Sequence, residues 1–158
     1  MKALIVYDSF FGNTEKIALS IGKAFGNAKI VTVCKTADVK PAMLDGLDYL
    51  IVGSPTRAFS PSPATKSFLK SIPSKKLSGV KVAAFDTRIA MTDKVPGFLR
   101  FMAKLFGYAD KPILDSLKKK GGQETVPSEG FFVLDSEGPL GKGELERAAA
   151  WAKQIKKT

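Results

Sequence analysis

The sequence predicts an α/β fold of the doubly wound type, and three observations carry the prediction. Short apolar runs alternate along the chain with longer amphipathic segments. The runs are apolar throughout rather than at every second residue, as strands are when helices cover both faces of a parallel sheet. Helix start and stop residues sit at the ends of the longer segments. Strand and helix in repeated alternation is how such a sheet is wound.

Taken in order, the strand candidates are "ALIVY" (3–7), "KIVTV" (29–33), "YLIVG" (49–53), "KVAAFD" (81–86) and "GFFVLD" (130–135). Helices are expected at about 14–25, 63–71, 97–119 and 141–156, with a looser, partly helical stretch near 37–46. Asn13 and Thr14 are the expected caps of the first helix, Glu15 suits the dipole in its first turn, and Gly26 is the expected left-handed stop. Before the last helix "GPLGKG" breaks the chain. Glu144 and Glu146 then sit early, and Lys153, Lys156 and Lys157 late, each charge opposing the dipole at its end. No repeat, low-complexity segment or linker divides residues 1–158, which are read as a single domain long enough to bury about 70% of their unfolded surface.

Composition removes several kinds of chemistry. Histidine is absent, and with it the commonest general base, the commonest metal ligand and every Ser-His or Cys-His arrangement. The single cysteine, Cys34, excludes an internal disulfide and any multi-cysteine metal site, and at the end of an apolar run it reads as a buried, inert thiol. No catalytic acid or base and no metal ligand set is assigned, so catalysis would have to come from a cofactor. The first residues hold an apolar run too short for a signal-peptide core, and no stretch approaches about 18 apolar residues, which predicts a cytoplasmic protein without stable membrane insertion. The formal charge of +10 invites a nucleic-acid or membrane reading, but no nucleic-acid motif accompanies it.

In a doubly wound sheet ligands bind beyond the carboxyl ends of the strands, so the segments "DSFFGNT", "SPTRAFSPS" and "DTRIAMTD" decide function. In the first, Gly12 permits a sharp turn, the amides from Phe10 to Thr14 can converge, and the hydroxyls of Ser9 and Thr14 add donors in front of a helix N-terminus. This is a phosphate cradle that needs no lysine. It is neither a P-loop, which requires Gly-Lys-Ser/Thr, nor the Gly-x-Gly-x-x-Gly dinucleotide turn.

The turn "SFFGNT" resembles the phosphate loop of the flavodoxin family, in which a hydroxyl-rich turn ending in Gly-Asn-Thr binds the phosphate of FMN. Phe10 and Phe11 replace the usual hydroxyls. The resulting Ser-aromatic-aromatic-Gly form is similar to NAD(P)H:quinone oxidoreductases of the tryptophan-repressor-binding-protein type and to the flavodoxin domain of flavodiiron proteins. "GSPTR" (53–57) resembles the Gly-Thr-Pro-Thr-Arg turn of the same oxidoreductases, with Arg57 where electron-transfer flavodoxins place a stacking Trp. "AFDTRIAM" occupies the loop on the ring's other side but lacks the glycine-rich run of the oxidoreductases and the Tyr of many flavodoxins. The closing "EGFFVLDSEGPLGKGELERAAAWAK" resembles the end of small flavodoxin-family proteins, so the likeness covers essentially the whole chain.

The resemblance implies a flavodoxin-like sandwich, a five-stranded parallel sheet of order 2-1-3-4-5 with helices on both faces, holding one FMN. Ser9, Phe10, Phe11, Gly12, Asn13 and Thr14 would surround the phosphate. Pro55, Thr56, Arg57 and Ala58 would meet the ring or ribityl chain, and Asp86, Thr87, Arg88, Ile89 and Ala90 would line the far side through backbone groups. One of the two phenylalanines is expected as a wall of the site and the other to pack inward. Electron transfer is the implied function. An FMN-dependent NAD(P)H:quinone oxidoreductase is the alternative, and a flavin-free binding module a further one. An arginine at about 6 Å from a reduced anionic flavin contributes on the order of 1 to 3 kcal/mol at an effective dielectric of about 20, or about 40 to 120 mV.

The apolar stretch "PGFLRFMAKLFGY" (96–108) has helical spacing with Arg100 and Lys104 interleaved. It reads as a helix packed on the sheet, or else as a lid, a homodimer contact or a membrane-surface segment. The scattered lysines imply steering towards an acidic redox partner protein, with strong salt dependence.

Overall fold

A computed structural model describes residues 1–158. The expected winding is present. Strand β1 (Ala3–Tyr7) lies at the centre with β2 (Val31–Lys35) on one side and β3 (Tyr49–Arg57) on the other, followed by β5 (Lys81–Ile89). All these pairs are parallel. Beyond β5 the outer position is shared by two short parallel strands, β6 (Gln123–Glu124) along its start and β7 (Glu129–Val133) along its end. Counting by position the order is the predicted 2-1-3-4-5. The count of strands rises to seven because Pro127, which has no N–H to donate, lies in the interruption between β6 and β7, and because β4 (Ser60–Pro61) folds back antiparallel on β3.

The continuous apolar strands bury both faces. On one, Ile5, Ile51 and Phe85 pack against α1 (Asn13–Phe25) and α5 (Glu144–Lys157), with Phe85, Phe131 and Trp151 meeting edge to face about their shared centre. On the other, Leu4, Leu50 and Val82 pack against α2 (Pro63–Ser71) and α4 (Asp110–Lys119). The stretch near 37–46 forms two 3-10 turns, Thr36–Asp38 and Pro41–Leu44. No helix is long and apolar enough to cross a membrane.

Several local expectations are corrected. The helix expected over 97–119 is two, α3 (Gly97–Phe106) and α4, separated where Gly107 turns left-handed at φ 74°. Gly26 ends α1 in extended backbone rather than in the left-handed region. The second strand lies two residues later than 29–33, because Asn27 bonds back to the amides of Ile30 and Val31 in a turn. Cys34 is half-buried rather than buried, and burial pushes its thiol up, away from the thiolate form that reacts.

Candidate functional site

The turn after β1 and the carboxyl ends of β3 and β5 converge on one cleft of about 230 Å³ at the carboxyl edge of the sheet. Ser9, Phe10, Phe11, Asn13, Thr14, Pro55, Thr56, Arg57, Ala58, Thr87, Arg88 and Ile89 all line it. Gly12, Asp86 and Ala90 do not: Gly12 shapes the turn, Asp86 is turned into the protein, and Ala90 faces a neighbouring hollow.

Gly12 is the cap of α1, in the left-handed region at φ 89°, a conformation that costs a side-chain-bearing residue about 1 to 2 kcal/mol. Asn13 and Thr14, expected as caps, lie inside the first turn instead. Ser9 Oγ accepts from the Gly12 amide at 3.0 Å, and Asp8 accepts from the Ser9 amide and from Ser62 Oγ, which ties the turn to the start of α2. The amides of Phe10, Phe11, Asn13 and Thr14 donate to no protein acceptor. Four free N–H groups around a helix N-terminus, where a Cβ on Gly12 would meet nothing within 4 Å, make a concavity whose donors could accept an anion. Below it, the Tyr7 hydroxyl donates to Glu15 Oε1 at 2.8 Å, and burial and that carboxylate push the phenol up to about 12. The pair pins the first turn of α1 to β1.

Both phenylalanines are exposed, Phe10 at 51% and Phe11 at 49%, so neither packs inward as expected. The reason is local: β1 ends at Tyr7 and α1 begins at Asn13, leaving the turn standing clear of the core. The guanidinium of Arg57 lies over the Phe10 ring at 4.7 Å, bridging the first and second segments across the mouth.

Strand β3 runs four residues past its predicted end and turns at Ala58 and Phe59, which sit at φ 46° and φ 63° before β4. A two-residue hairpin of this hand prefers Asn-Gly, and two side-chain-bearing residues here hold strain at the rim of the cleft. Thr87 Oγ1 shares a hydrogen bond with Thr14 Oγ1 at 2.7 Å, joining the third segment to the first.

Arg88, expected on the far side of the ring, has a side chain that is neither free nor solvated. Its Nε and one terminal nitrogen donate to the two oxygens of Asp86 at 2.7 and 2.8 Å, the same nitrogen meets Asp110 at 3.1 Å, and its plane lies 3.8 Å from the Tyr108 ring centroid. Asp86 also accepts from the Asp110 amide, and Ser128 donates to Asp110. Burial pushes the Asp86 carboxyl up to about 6 against the lowering pull of Arg88. Two carboxylates to one guanidinium make this wall neutral to negative.

The sequence reading missed Val133 and Ser136, which close the cleft after β7. It also missed the bond from Asn13 Nδ2 to the Glu137 carbonyl at 3.1 Å, which holds that last loop over the turn. The only signal was the position of "VLDSEG" beyond the final strand. Larger hollows exist, one of about 700 Å³ between the 3-10 turns and α2, but its charged pair, Lys76 and Asp45, is already self-paired.

The family model described as "Flavodoxin domain" matches residues 4–125. An uncharacterized protein of Methanocaldococcus jannaschii is 31% identical over 102 residues, covering 59% of this chain and 26% of its own length, so the chain spans about a quarter of that relative. Among solved structures, oxidised Flavodoxin 1 from Bacillus cereus superposes with a TM-score of 0.75 at 17% identity, over 99% of this chain and 98% of that one. A flavodoxin, WrbA-like protein from Agrobacterium tumefaciens gives 0.72 at 20% identity, over 98% and 94%.

Proposed function

This chain belongs to the flavodoxin family, and from that premise we propose that it binds one FMN in the cleft and works in electron transfer. The observation that carries the reading is the set of four free amides, of Phe10, Phe11, Asn13 and Thr14, on either side of a left-handed glycine at the start of α1. Those amides would hold the phosphate, with the Ser9 and Thr14 hydroxyls beside them. Thr56, Arg57 and Ala58 on one side and Thr87, Arg88 and Ile89 on the other would bracket the ring. When bound, FMN supplies one- and two-electron chemistry, and the protein's part is to bind, orient and set the potential. No side chain is assigned as acid or base.

The donor set fits the group. It offers neutral N–H and O–H donors to an anion, an apolar rim, and no buried unpaired cation. The purified protein is expected to be yellow and to quench the fluorescence of added FMN. A colourless protein that leaves FMN fluorescence unchanged sinks the reading and favours a flavin-free binding module.

A second reading, an FMN-dependent NAD(P)H:quinone oxidoreductase, draws on the aromatic mouth, where Phe10, Phe11 and Arg57 present flat surfaces to an incoming ring. Anaerobic addition of NADH or NADPH distinguishes the two: bleaching of the flavin band with turnover on quinone supports the enzyme, and an unbleached band supports the carrier.

A further inference from the structure

Helix α3 takes part in neither side of the core. Of its ten residues only Ala103 is buried, while Phe98, Phe101 and Leu105 are exposed at 70%, 61% and 63%. At 100° per residue these three fall within about 60° of one another on the helix circumference, so they form a single outward ridge. Lys104 lies on one flank of the ridge, about 60° beyond Phe101, Arg100 lies further round towards the buried Ala103, and Lys94 precedes the helix. Across residues 90–109 the only acid is Asp93, and Arg100 holds it at 3.1 Å.

The ridge borders the cleft. Leu99 shares a shallow hollow with Met91, Phe132 and Leu134, and that hollow reaches Ile89 of the cleft wall. Phe106 meets Phe59 of the hairpin at 6.1 Å. An apolar surface of this kind marks a docking face. A second copy suits it poorly, because each chain carries +10 and the cations flanking the ridge would face each other. The ridge is also convex, so a protein partner would need a matching groove, whereas lipid deforms around it. A short helix with phenylalanine and leucine on one face, cations at the flank and almost no acids has the composition of a segment that lies in a bilayer interface.

We propose that α3 is a reversible docking element for an anionic phospholipid bilayer, with Phe98, Phe101 and Leu105 among the acyl chains and Lys104 and Lys94 at the phosphates. The inference stands on the ridge and its charges and does not depend on flavin binding.

The test is sedimentation with vesicles of phosphatidylcholine alone and of phosphatidylcholine mixed with phosphatidylglycerol, using the full chain with and without added FMN. The wild-type protein is expected to bind the mixed vesicles and not the neutral ones. The Phe98→Ser/Phe101→Ser variant keeps every charge and disturbs no buried residue, and its partition coefficient should fall about tenfold or more. Equal binding by variant and wild type would mean attachment through other lysines and overturns the proposal. A Phe101→Trp variant adds a depth reporter against the buried Trp151 background. Its emission should shift to the blue and be quenched by lipids brominated on the acyl chain; an unquenched signal overturns the proposal. So would a dimer in light scattering that the double serine variant abolishes, since the ridge would then belong to a second copy.

Discussion

Gly53 has no room for a side chain, because a Cβ there would stand 2.0 Å from the tip of Phe85, its neighbour in register across β3 and β5. Phe85 is fully buried and wedged edge-on against Phe131 and Trp151, so it cannot swing aside. Gly53→Ala is expected to destabilise the protein by about 3 kcal/mol, lowering Tm by roughly 6 to 12 °C, and Phe85→Leu in the same chain should recover part of the loss. Thermal unfolding of the single and double variants checks this; an unshifted Gly53→Ala would refute the packing argument. The sequence shows Gly53 only as the start of "GSPTR", since the need for glycine comes from a residue 32 positions away. Arg57 was legible at once, from its place in that same turn. With its guanidinium on Phe10 at the mouth, Arg57→Gln should lower the potential for the second electron by about 40 to 120 mV, measured by reductive titration with a reference dye. An unchanged potential would place Arg57 outside the ring's field.

At the scale of elements, the strands and the first turn were legible because apolar runs and glycine-asparagine-threonine spacing are local signals. The break between α3 and α4 was not, because its partners are distant. The Ala109 amide donates to Thr56 Oγ1 at 3.0 Å and the Asp110 amide to Asp86 at 3.1 Å, so side chains from β3 and β5 satisfy the new helix N-terminus that Gly107 exposes. Asp86 thereby joins β5, Arg88 and α4, and its proton becomes a stability variable. Its folded pKa of about 6 exceeds the ordinary 3.8, so between about pH 4 and 6 the native chain holds a proton that the unfolded chain has released. Stability from this group is therefore highest below pH 4 and falls as pH rises through 6, by about 3 kcal/mol. Denaturant unfolding of wild type and Asp86→Asn at several pH values should show the wild type losing ground to the variant across that window and no further change above about pH 7. The opposite slope would mean that Arg88, not burial, governs the carboxyl.

Over the whole molecule the fold sorts the charge that the sequence shows only as a total. The four helices packed on the sheet, α1, α2, α4 and α5, return to the edge where the strands begin, so the lysines that suit their C-termini collect there: Lys23, Lys70, Lys118, Lys119, Lys156 and Lys157, at the end opposite the cleft. Near the cleft, Arg57 lines the mouth, Asp93, Lys94 and Asp135 line the neighbouring hollow, Glu137 is held by Asn13 and Arg100 is paired with Asp93, so cations and acids are mixed there rather than gathered into one basic cluster. Strand β5 has nine residues, or about 30 Å at roughly 3.3 Å each, and the Debye length at 0.1 M salt is about 10 Å. The basal lysines are therefore screened from anything that reacts at the cleft, and the strong salt dependence expected from net charge alone should not appear there. Reoxidation of the reduced, FMN-loaded protein by ferricyanide, a small anionic acceptor, separates the two ends. Replacing Lys118, Lys119 and Lys120 with Gln should weaken retention on a cation exchanger yet leave the ferricyanide rate and its salt slope unchanged at 0.1 M and above, whereas Arg57→Gln should slow the reaction and flatten its slope. If the basal substitutions slow electron transfer as much as Arg57→Gln does, the charge acts as one field over the whole surface and the separation of a binding end from a reacting end fails.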